Sequence, residues 1–252
     1  MRYKCIVSYD GTAYAGWQRQ NGKRSIQQTI EEALKKIVCQ DIKIYASGRT
    51  DAQVHARGQV FHFDCDKKFA DFRKALNSQL PKDIYILSME PVADDFHSRF
   101  SACYKHYDYL INDGDYDPLM VNYCCQTNRK LDIALMEKFS KIFIGEHDFT
   151  SFNATKKAEV ENQVRTIYRI DVKRHGNMIK ISYYGNGFLR YMVRILSQCL
   201  IEAALGNLTE KQLTEMLEAE DKRACHYNGQ PQGLYLMEVS YKPYLVAPVA
   251  EW

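Results

Sequence analysis

Twice along this 252-residue chain the apolar residues switch between a period of two and a period of about 3.6, in the same order. That order restricts the fold more than any other feature. Tyr3, Cys5, Val7 and Tyr9 alternate as a strand does. Ser25 followed by Gln28 reads as a capping box, and Ile26, Ile30, Leu34 and Ile37 then share one helical stripe. Ile42, Ile44 and Ala46 give a second strand and Val60 to Phe63 a third. Asp71 caps a second helix, with Phe72, Ala75, Leu76 and Leu80 inward and Pro81 just past its end. Ile84 to Met89 is a fourth strand. The order βαββαβ is that of a ferredoxin-like unit.

The second half repeats the order without repeating the residues. Tyr107, Tyr109 and Ile111 lie on one face of a strand, and Leu131, Leu135, Phe139, Ile142 and Phe143 mark a helix. Thr166 to Lys173 and Met178 to Tyr184 form a hairpin around His175-Gly176-Asn177. Two helices follow, near 188–204 and 209–219, and Leu234 to Tyr241 closes the half. The expectation is an α+β fold. Two ferredoxin-like βαββαβ halves, residues 1–112 and 113–252, form one extended, mainly antiparallel sheet, with helices on one face and a central cleft. The polar stretch from Asn112 to Tyr123 joins them.

Composition bounds the function only loosely. Lys and Arg number 34 against 31 Asp and Glu, and a net charge of +3 permits a nucleic-acid partner without arguing for one. The cysteines Cys5, Cys39, Cys65, Cys103, Cys124, Cys125, Cys199 and Cys225 contain no C-x-x-C pair and no His at ligand spacing. They read as reduced thiols packed among apolar residues, with no metal site. Nothing ahead of Tyr3 forms a targeting segment, and no apolar run nears the roughly 18 residues of a membrane span. A cytoplasmic protein is expected.

The densest polar cluster is Ser47-Gly48-Arg49-Thr50-Asp51-Ala52-Gln53-Val54-His55, between two expected strands. Catalytic groups commonly sit on such loops, held by a rigid scaffold. Spacing alone admits, equally, a well-made turn with a solvated Arg and Asp. Spacing also puts Arg190 and Arg194 on the polar side of a helix whose apolar stripe is Phe188, Met192, Ile195 and Cys199. Tyr107 and Leu234 admit a core reading, and Trp17 and Arg19 an anchoring one. His55 and His62 read as packed or partner-facing rather than catalytic.

Five segments, in order, carry a resemblance. They are Tyr9-Asp10-Gly11-Thr12 with Tyr14, Gly16, Trp17, Gln18, Arg19 and Gln20; GRTDAQVHARGQV from Gly48 to Val60; Asp94-Asp95-Phe96-His97 with Arg99-Phe100-Ser101-Ala102; FLRYMVR from Phe188 to Arg194; and Gly233-Leu234-Tyr235-Leu236. Together they resemble the TruA family of tRNA pseudouridine synthases over nearly the whole chain. The resemblance implies an isomerase acting on tRNA without cofactor or metal, as a homodimer, at anticodon stem-loop positions 38, 39 and 40. It implies Asp51 as the catalytic aspartate and Arg49 as the residue holding the target nucleotide out of the stack. Tyr107 would stack on the flipped uracil, Arg194 would pair with Asp51, and Leu234 would close the pocket.

The chemistry suits those residue types. Uridine isomerisation breaks an N–C glycosidic bond, turns the base and forms a C–C bond, so the base must leave the helix. A carboxylate stabilises or traps the electron-poor sugar carbon. Burial alone would protonate that carboxylate, and a permanently charged guanidinium keeps it ionised. Three departures from the family pattern stand out. Gln53 takes the place of a Gly, Asp108 that of an Arg, and Ile195-Leu196-Ser197-Gln198 that of Asn-Ile-Val-Gly. Two rival readings remain at this point: a non-catalytic RNA-binding module on a ferredoxin-like sheet, and a glycosidase, which would need a second acid, for which Asp10, Asp94 and Asp95 are the candidates.

Overall fold

The computed structural model describes residues 1–67 and 69–245. The chain divides into two compact units, residues 1–102 with 235–241, and residues 103–234 with 242–245.

In the first unit the order is β1 (Arg2–Tyr9), α1 (Ile26–Val38), β2 (Tyr45–Ala46), β3 (His55–Asp64), α2 (Phe72–Gln79) and β4 (Ile84–Val92). β1 lies antiparallel between β3 and β4, placing Cys5 opposite Phe61 and Met89. The alternation seen in the sequence is the burial pattern, with Cys5, Val7 and Tyr9 inward. On that face Phe61 meets Trp17 and Phe63 meets Phe72. α1 closes the core with Ile26, Ile30, Leu34 and Val38, each contributing about 1.5–3 kcal/mol by burial. Ser25 accepts from the Gln28 amide, but the Gln28 side chain turns to Glu32, so only half of the expected capping box forms. Cys39, left-handed at φ 57°, ends the helix, with Lys35 and Lys36 in the last turn. The second strand shrinks to Tyr45–Ala46, while β3 runs longer than its apolar stretch.

The second unit comprises β5 (Tyr104–Asn112), β6 (Cys125–Gln126), α3 (Ile133–Ser140), β7 (Gly145–Asp148), β8 (Val164–His175), β9 (Met178–Gly185), α4 (Met192–Ala204) and α5 (Glu210–Glu218). β5, β9, β8 and β7 are antiparallel neighbours in that order, and β6 runs parallel to β5. Gly176, at φ 58°, turns the β8–β9 hairpin where the sequence puts it. Asp113, 1% exposed, locks the far end of β5. It takes two hydrogen bonds from Arg174, one from Lys130 and one from the Leu131 amide.

The α+β class and the mainly antiparallel pairing are as the sequence implies; the division of the chain differs from the expected one. The Tyr107–Ile111 strand opens the repeated order, yet the expected boundary at residue 112 leaves it in the first half; as β5 it pairs with β9 over Lys105–Asn112 and belongs to the second unit. β10 (Leu234–Ser240) was expected to close the second half, yet residues 235–241 belong to the first, where Tyr235 and Leu236 pair in parallel with His55 and Ala56 of β3. Among the described residues no helix is long and apolar enough to cross a membrane, and no cluster of His, Cys, Asp or Glu could hold a metal. All eight cysteines are free thiols, most of them buried.

Candidate active site

The Asp51 loop is built from beneath. The backbone amide of Trp17 donates to the Thr50 carbonyl (3.0 Å), and Thr50 and Tyr9 share a hydrogen bond of 2.7 Å between their hydroxyls. Gln59, fully buried, donates to the Gly48 carbonyl (2.8 Å), and the Ser47 amide donates to Val60 (2.8 Å). Asp51 itself accepts through its carbonyl from the Val54 amide (3.2 Å), which closes a turn. That turn lies so close to the opening motif that only glycine fits below it. A Cβ on Gly16 (φ 95°) would stand 2.6 Å from the Thr50 carbonyl oxygen, and one on Gly11 2.0 Å from that of Val54. The result is a half-buried Asp51 between a buried Thr50 and an exposed Ala52, with Arg49 exposed two residues earlier.

The opening motif is therefore the floor of the loop. Trp17 is buried at 2% exposure, and Arg19 ties to Gln27 and Glu31, so both anchor. Asp10 accepts from the amide and hydroxyl of Thr12 in an Asx turn. His55 is buried, stacked on Tyr235 at 4.7 Å, and its Nδ1 accepts from the Gly11 amide. His62 is likewise buried, and burial pushes its imidazole down to about 4. Both histidines are packed, as the sequence indicates. Gln53 occupies a left-handed position, φ 65°, where a glycine would be unstrained.

The other candidates lie on the second unit. Tyr107, 8% exposed on β5, meets Phe188 edge to face at 5.2 Å. Leu234 is buried, and the preceding Gly233 approaches the Leu110 carbonyl and the Cys125 amide too closely for a side chain. Arg194 stands in the first turn of α4, only 8% exposed, rather than on a solvated face. Its Nε donates to the Gly229 carbonyl (2.9 Å), and its own carbonyl accepts from the Gly229 amide. Its guanidinium lies 4.6 Å from the Tyr191 ring centroid, a cation–π distance.

The helix carrying Arg194 starts later than expected. Tyr191 is left-handed (φ 65°), so the helical path begins at Met192 and Arg190 lies outside it. Arg190 is instead linked to residues 154 and 155: the Ala154 amide donates to the Arg190 carbonyl, and the Arg190 amide to the Thr155 hydroxyl. Buried Asn153 and Gln163 fix that segment, joined by a hydrogen bond of 2.8 Å. Sequence reasoning missed Tyr191, Asn153 and Gln163. Only the presence of Tyr191 within FLRYMVR pointed toward one of them.

The departures acquire a structural meaning. Asp108 is buried at 5% exposure, accepting from Ser182 (2.6 Å) and paired with His106 (2.8 Å). In place of Ile and Val, Leu196 and Ser197 are fully buried, and Ser197 shares a hydrogen bond with the Tyr183 hydroxyl.

Comparison with known proteins follows this geometry. The family model described as tRNA pseudouridine synthase matches residues 5–101 and 139–242, which contain Arg49, Asp51, Arg194 and Leu234. The chain is 44% identical to tRNA pseudouridine synthase A of Exiguobacterium sp., covering 96% of this chain and 98% of that protein. It is 43% identical to the protein of the same name from Listeria welshimeri, over 96% and 99% of the two chains. For that of Geobacillus kaustophilus the identity is 40%, over 96% and 95%. The class of enzyme is thus an isomerase. The chain belongs to the tRNA pseudouridine synthase family.

Proposed function

We propose that this chain converts uridine to pseudouridine in the anticodon stem-loop of tRNA, at positions 38, 39 and 40, with Asp51 as the catalytic carboxylate and Arg194 as its counter-charge. The observation that carries the reading is the loop itself. A half-buried Asp51 directly follows residues held by hydrogen bonds, Thr50 to Tyr9 and Gly48 to Gln59, in a stretch matched to the family. The remaining roles are those the family resemblance implies, and residue chemistry suits them. Arg49, exposed beside Asp51, enters the RNA in place of the flipped nucleotide. Tyr107 and Leu234 wall the base without reading its edge, which tolerates it before and after rotation. The carboxylate holds the sugar carbon while the N–C bond breaks, and releases it as the turned base forms the C–C bond through C5; C5 then loses its proton and the freed N1 gains one, so the product is an isomer of the substrate. No cofactor or metal is required, and the reading goes with a cytoplasmic homodimer.

Asp51→Asn tests it directly. Turnover should vanish while tRNA affinity stays within about tenfold, or 1.4 kcal/mol, because phosphate contacts elsewhere dominate binding. Pseudouridine formed by the purified variant overturns the assignment. Release of free uracil by the unaltered enzyme would favour a glycosidase instead. The Arg194 role has its own control. Arg194→Ala should lose activity and move the acidic limb of any residual rate to higher pH, since the carboxylate loses its counter-charge. Arg190→Ala should not move that limb, and equal small effects at saturating tRNA would mean the wrong arginine.

A further inference from the structure

The segment from Phe96 to Ser101 presents a side chain that its surroundings make no effort to bury. Phe100 is 77% exposed, yet the turn carrying it is well tied. Nδ1 of His97 accepts from the amides of Arg99 (3.1 Å) and Phe100 (3.3 Å). The Ser101 hydroxyl accepts from the His97 amide (3.0 Å), and the Ser101 amide donates back to the His97 carbonyl (2.9 Å). A fixed turn therefore holds an aromatic ring out to solvent.

The ring does not stand alone. His97 lies 4.4 Å from Phe100 at an interplanar angle of 35°, 4.7 Å from His62 and 6.4 Å from Tyr45. Tyr45 stacks on His62 at 5.2 Å and 20°, and is itself 43% exposed. The rings thus form a row with an exposed aromatic at either end. A cation lies over each end: the Arg99 guanidinium 5.7 Å from the Phe100 centroid, and Lys43 Nζ 5.3 Å from that of Tyr45. Burial, then Arg2 and Arg99, hold His97 below the ordinary imidazole range, so it is uncharged at neutral pH.

Exposed rings with neighbouring cations match a base and its phosphates, because every nucleobase offers a π face and stacking needs no edge contacts. Asp94 and Asp95 stand nearby and exposed. The patch is therefore not uniformly basic, which disfavours a duplex lying across it and suits one splayed-out nucleotide. Tyr45 also lies on the strand that runs into the Asp51 loop, so the patch belongs to the same stretch of chain as the candidate catalytic residue.

We propose that Tyr45, His97 and Phe100 form a stacking platform for an unpaired nucleotide of the RNA substrate, with Lys43 and Arg99 holding its phosphates, in addition to the uridine pocket. This rests on the reading of the chain as a tRNA-modifying enzyme. A second copy of this chain is the competing occupant, and the experiment separates the two.

The test compares Phe100→Ala, Phe100→Leu, Phe100→Tyr and Tyr45→Ala with the unaltered enzyme. For each, affinity for a tRNA transcript and for a short oligouridine, steady-state kcat and KM, and mass by sedimentation are measured. Phe100→Ala, Phe100→Leu and Tyr45→Ala should each weaken tRNA binding about tenfold and raise KM alike, leaving kcat at saturating tRNA unchanged. Phe100→Tyr should restore affinity, because it restores the ring. The slope of log affinity against log salt should stay the same in these variants but become shallower by about one in Arg99→Ala. Phe100 is exposed, so an unchanged melting temperature confirms that folding is not at issue. Unchanged affinity in Phe100→Ala, or full affinity in Phe100→Leu, overturns the proposal. So does a loss of oligomeric mass with RNA affinity intact, which would make the patch a protein contact. If the unaltered enzyme forms no pseudouridine while the variants still lose RNA affinity, the proposed function fails and the platform stands. Normal turnover with unaltered binding in Phe100→Ala fails the platform alone.

Discussion

The Asp51 loop and the turn at Arg190 that leads into the Arg194 helix are held by different means. Around Asp51 the chain is fixed mainly by close backbone approach: Gly11 and Gly16 lie where any Cβ would collide with the loop and the Trp17 amide holds Thr50, with one side-chain amide, that of Gln59 on β3, holding Gly48. At Arg190 the chain is fixed by side-chain amides. Asn153 donates to the Phe149 carbonyl and to Gln163 and accepts from the Thr155 amide, and residues 154 and 155 then seat Arg190. The first arrangement fails when volume is added, and the second when a polar group is removed. Under the proposed roles, the Asp51 carboxylate gains from a rigid floor because small displacements cost rate. The counter-charge proposed for Arg194 needs a fixed backbone and a long side chain.

The harshest test of that contrast is Gly11→Ala. Its Cβ would lie 2.0 Å from the Val54 oxygen and 2.6 Å from the Val54 carbon, both backbone atoms that a rotamer change cannot move. Urea denaturation should show a loss of about 3 kcal/mol or more, with little activity in the folded fraction. Gly22→Ala is the control, since a Cβ there meets nothing and only its φ of 71° opposes the change. It should cost about 1–2 kcal/mol. Similar costs at Gly11 and Gly22 would show that backbone crowding does not position the loop.

Acid should separate the two units as well. His62 of the first unit has its pKa lowered to about 4, chiefly by burial, so its neutral form is favoured in the folded state. The unfolded chain then binds the proton first. The stabilisation is full above the ordinary imidazole pKa of about 6.5 and is lost as pH falls toward 4, up to about 3 kcal/mol. In the second unit, desolvation of Asp113 is outweighed by hydrogen bonds from Arg174, Leu131 and Lys130, which lowers its pKa. That contribution is present above the unfolded carboxylate value and disappears only as pH drops through the lower folded one. Amide hydrogen exchange at pH 4.5 should therefore show β3 losing protection before β5 and β8. Simultaneous loss in all three would argue against His62 as the first group to give way, and His62→Gln should flatten the change between pH 6.5 and 4.5.

Asn153→Ala probes the second kind of support. It strands the Gln163 side-chain oxygen and the Thr155 N–H in a buried setting, and a cost of about 2 kcal/mol is expected. Because residues 154 and 155 seat Arg190, kcat should fall at a temperature where the variant is fully folded by circular dichroism. Full activity in that folded variant would show that the amide network serves stability only.

Why some of this was readable in the residues and some was not is itself a matter of range. α1 was legible because its stripe and its Ser25 cap are local, and the β8–β9 hairpin because Gly176 marks its turn. The alternation at Ile42 and Ile44 suggested a strand, but only Tyr45 and Ala46 find β3 to pair with. The stripe through Phe188 and Met192 ran across Tyr191 without registering its left-handed backbone, since hydrophobic period reports faces and not φ. The pairing of β10 with β3 joins His55 to Tyr235, far beyond the reach of any window of local pattern. In the site, the Asp51 loop was recognisable from its motif. The need for glycine at positions 11 and 16 emerges only when the loop is seen lying on them.

The smallest effect concerns the position where this sequence departs from its family inside the loop. Gln53 is exposed, with φ 65°, and its amide donates to the Tyr14 carbonyl at 3.3 Å, so the left-handed turn is kept in spite of the side chain. A left-handed non-glycine residue costs roughly 1–2 kcal/mol, and glycine removes that cost while adding about 0.5–1 kcal/mol of unfolded-state entropy. Gln53→Gly should therefore stabilise by less than about 1 kcal/mol, a rise of at most roughly 2–4 °C in melting temperature. Gln53→Val, with a branched Cβ at the same φ, should shift it the other way. In neither variant does the floor of the loop change, so Gly at 53 should leave kcat on tRNA near that of the unaltered enzyme. A stabilised but slower Gln53→Gly enzyme would mean that the strain at Gln53 helps to aim Asp51, and that the loop is positioned from its rim as well as from below.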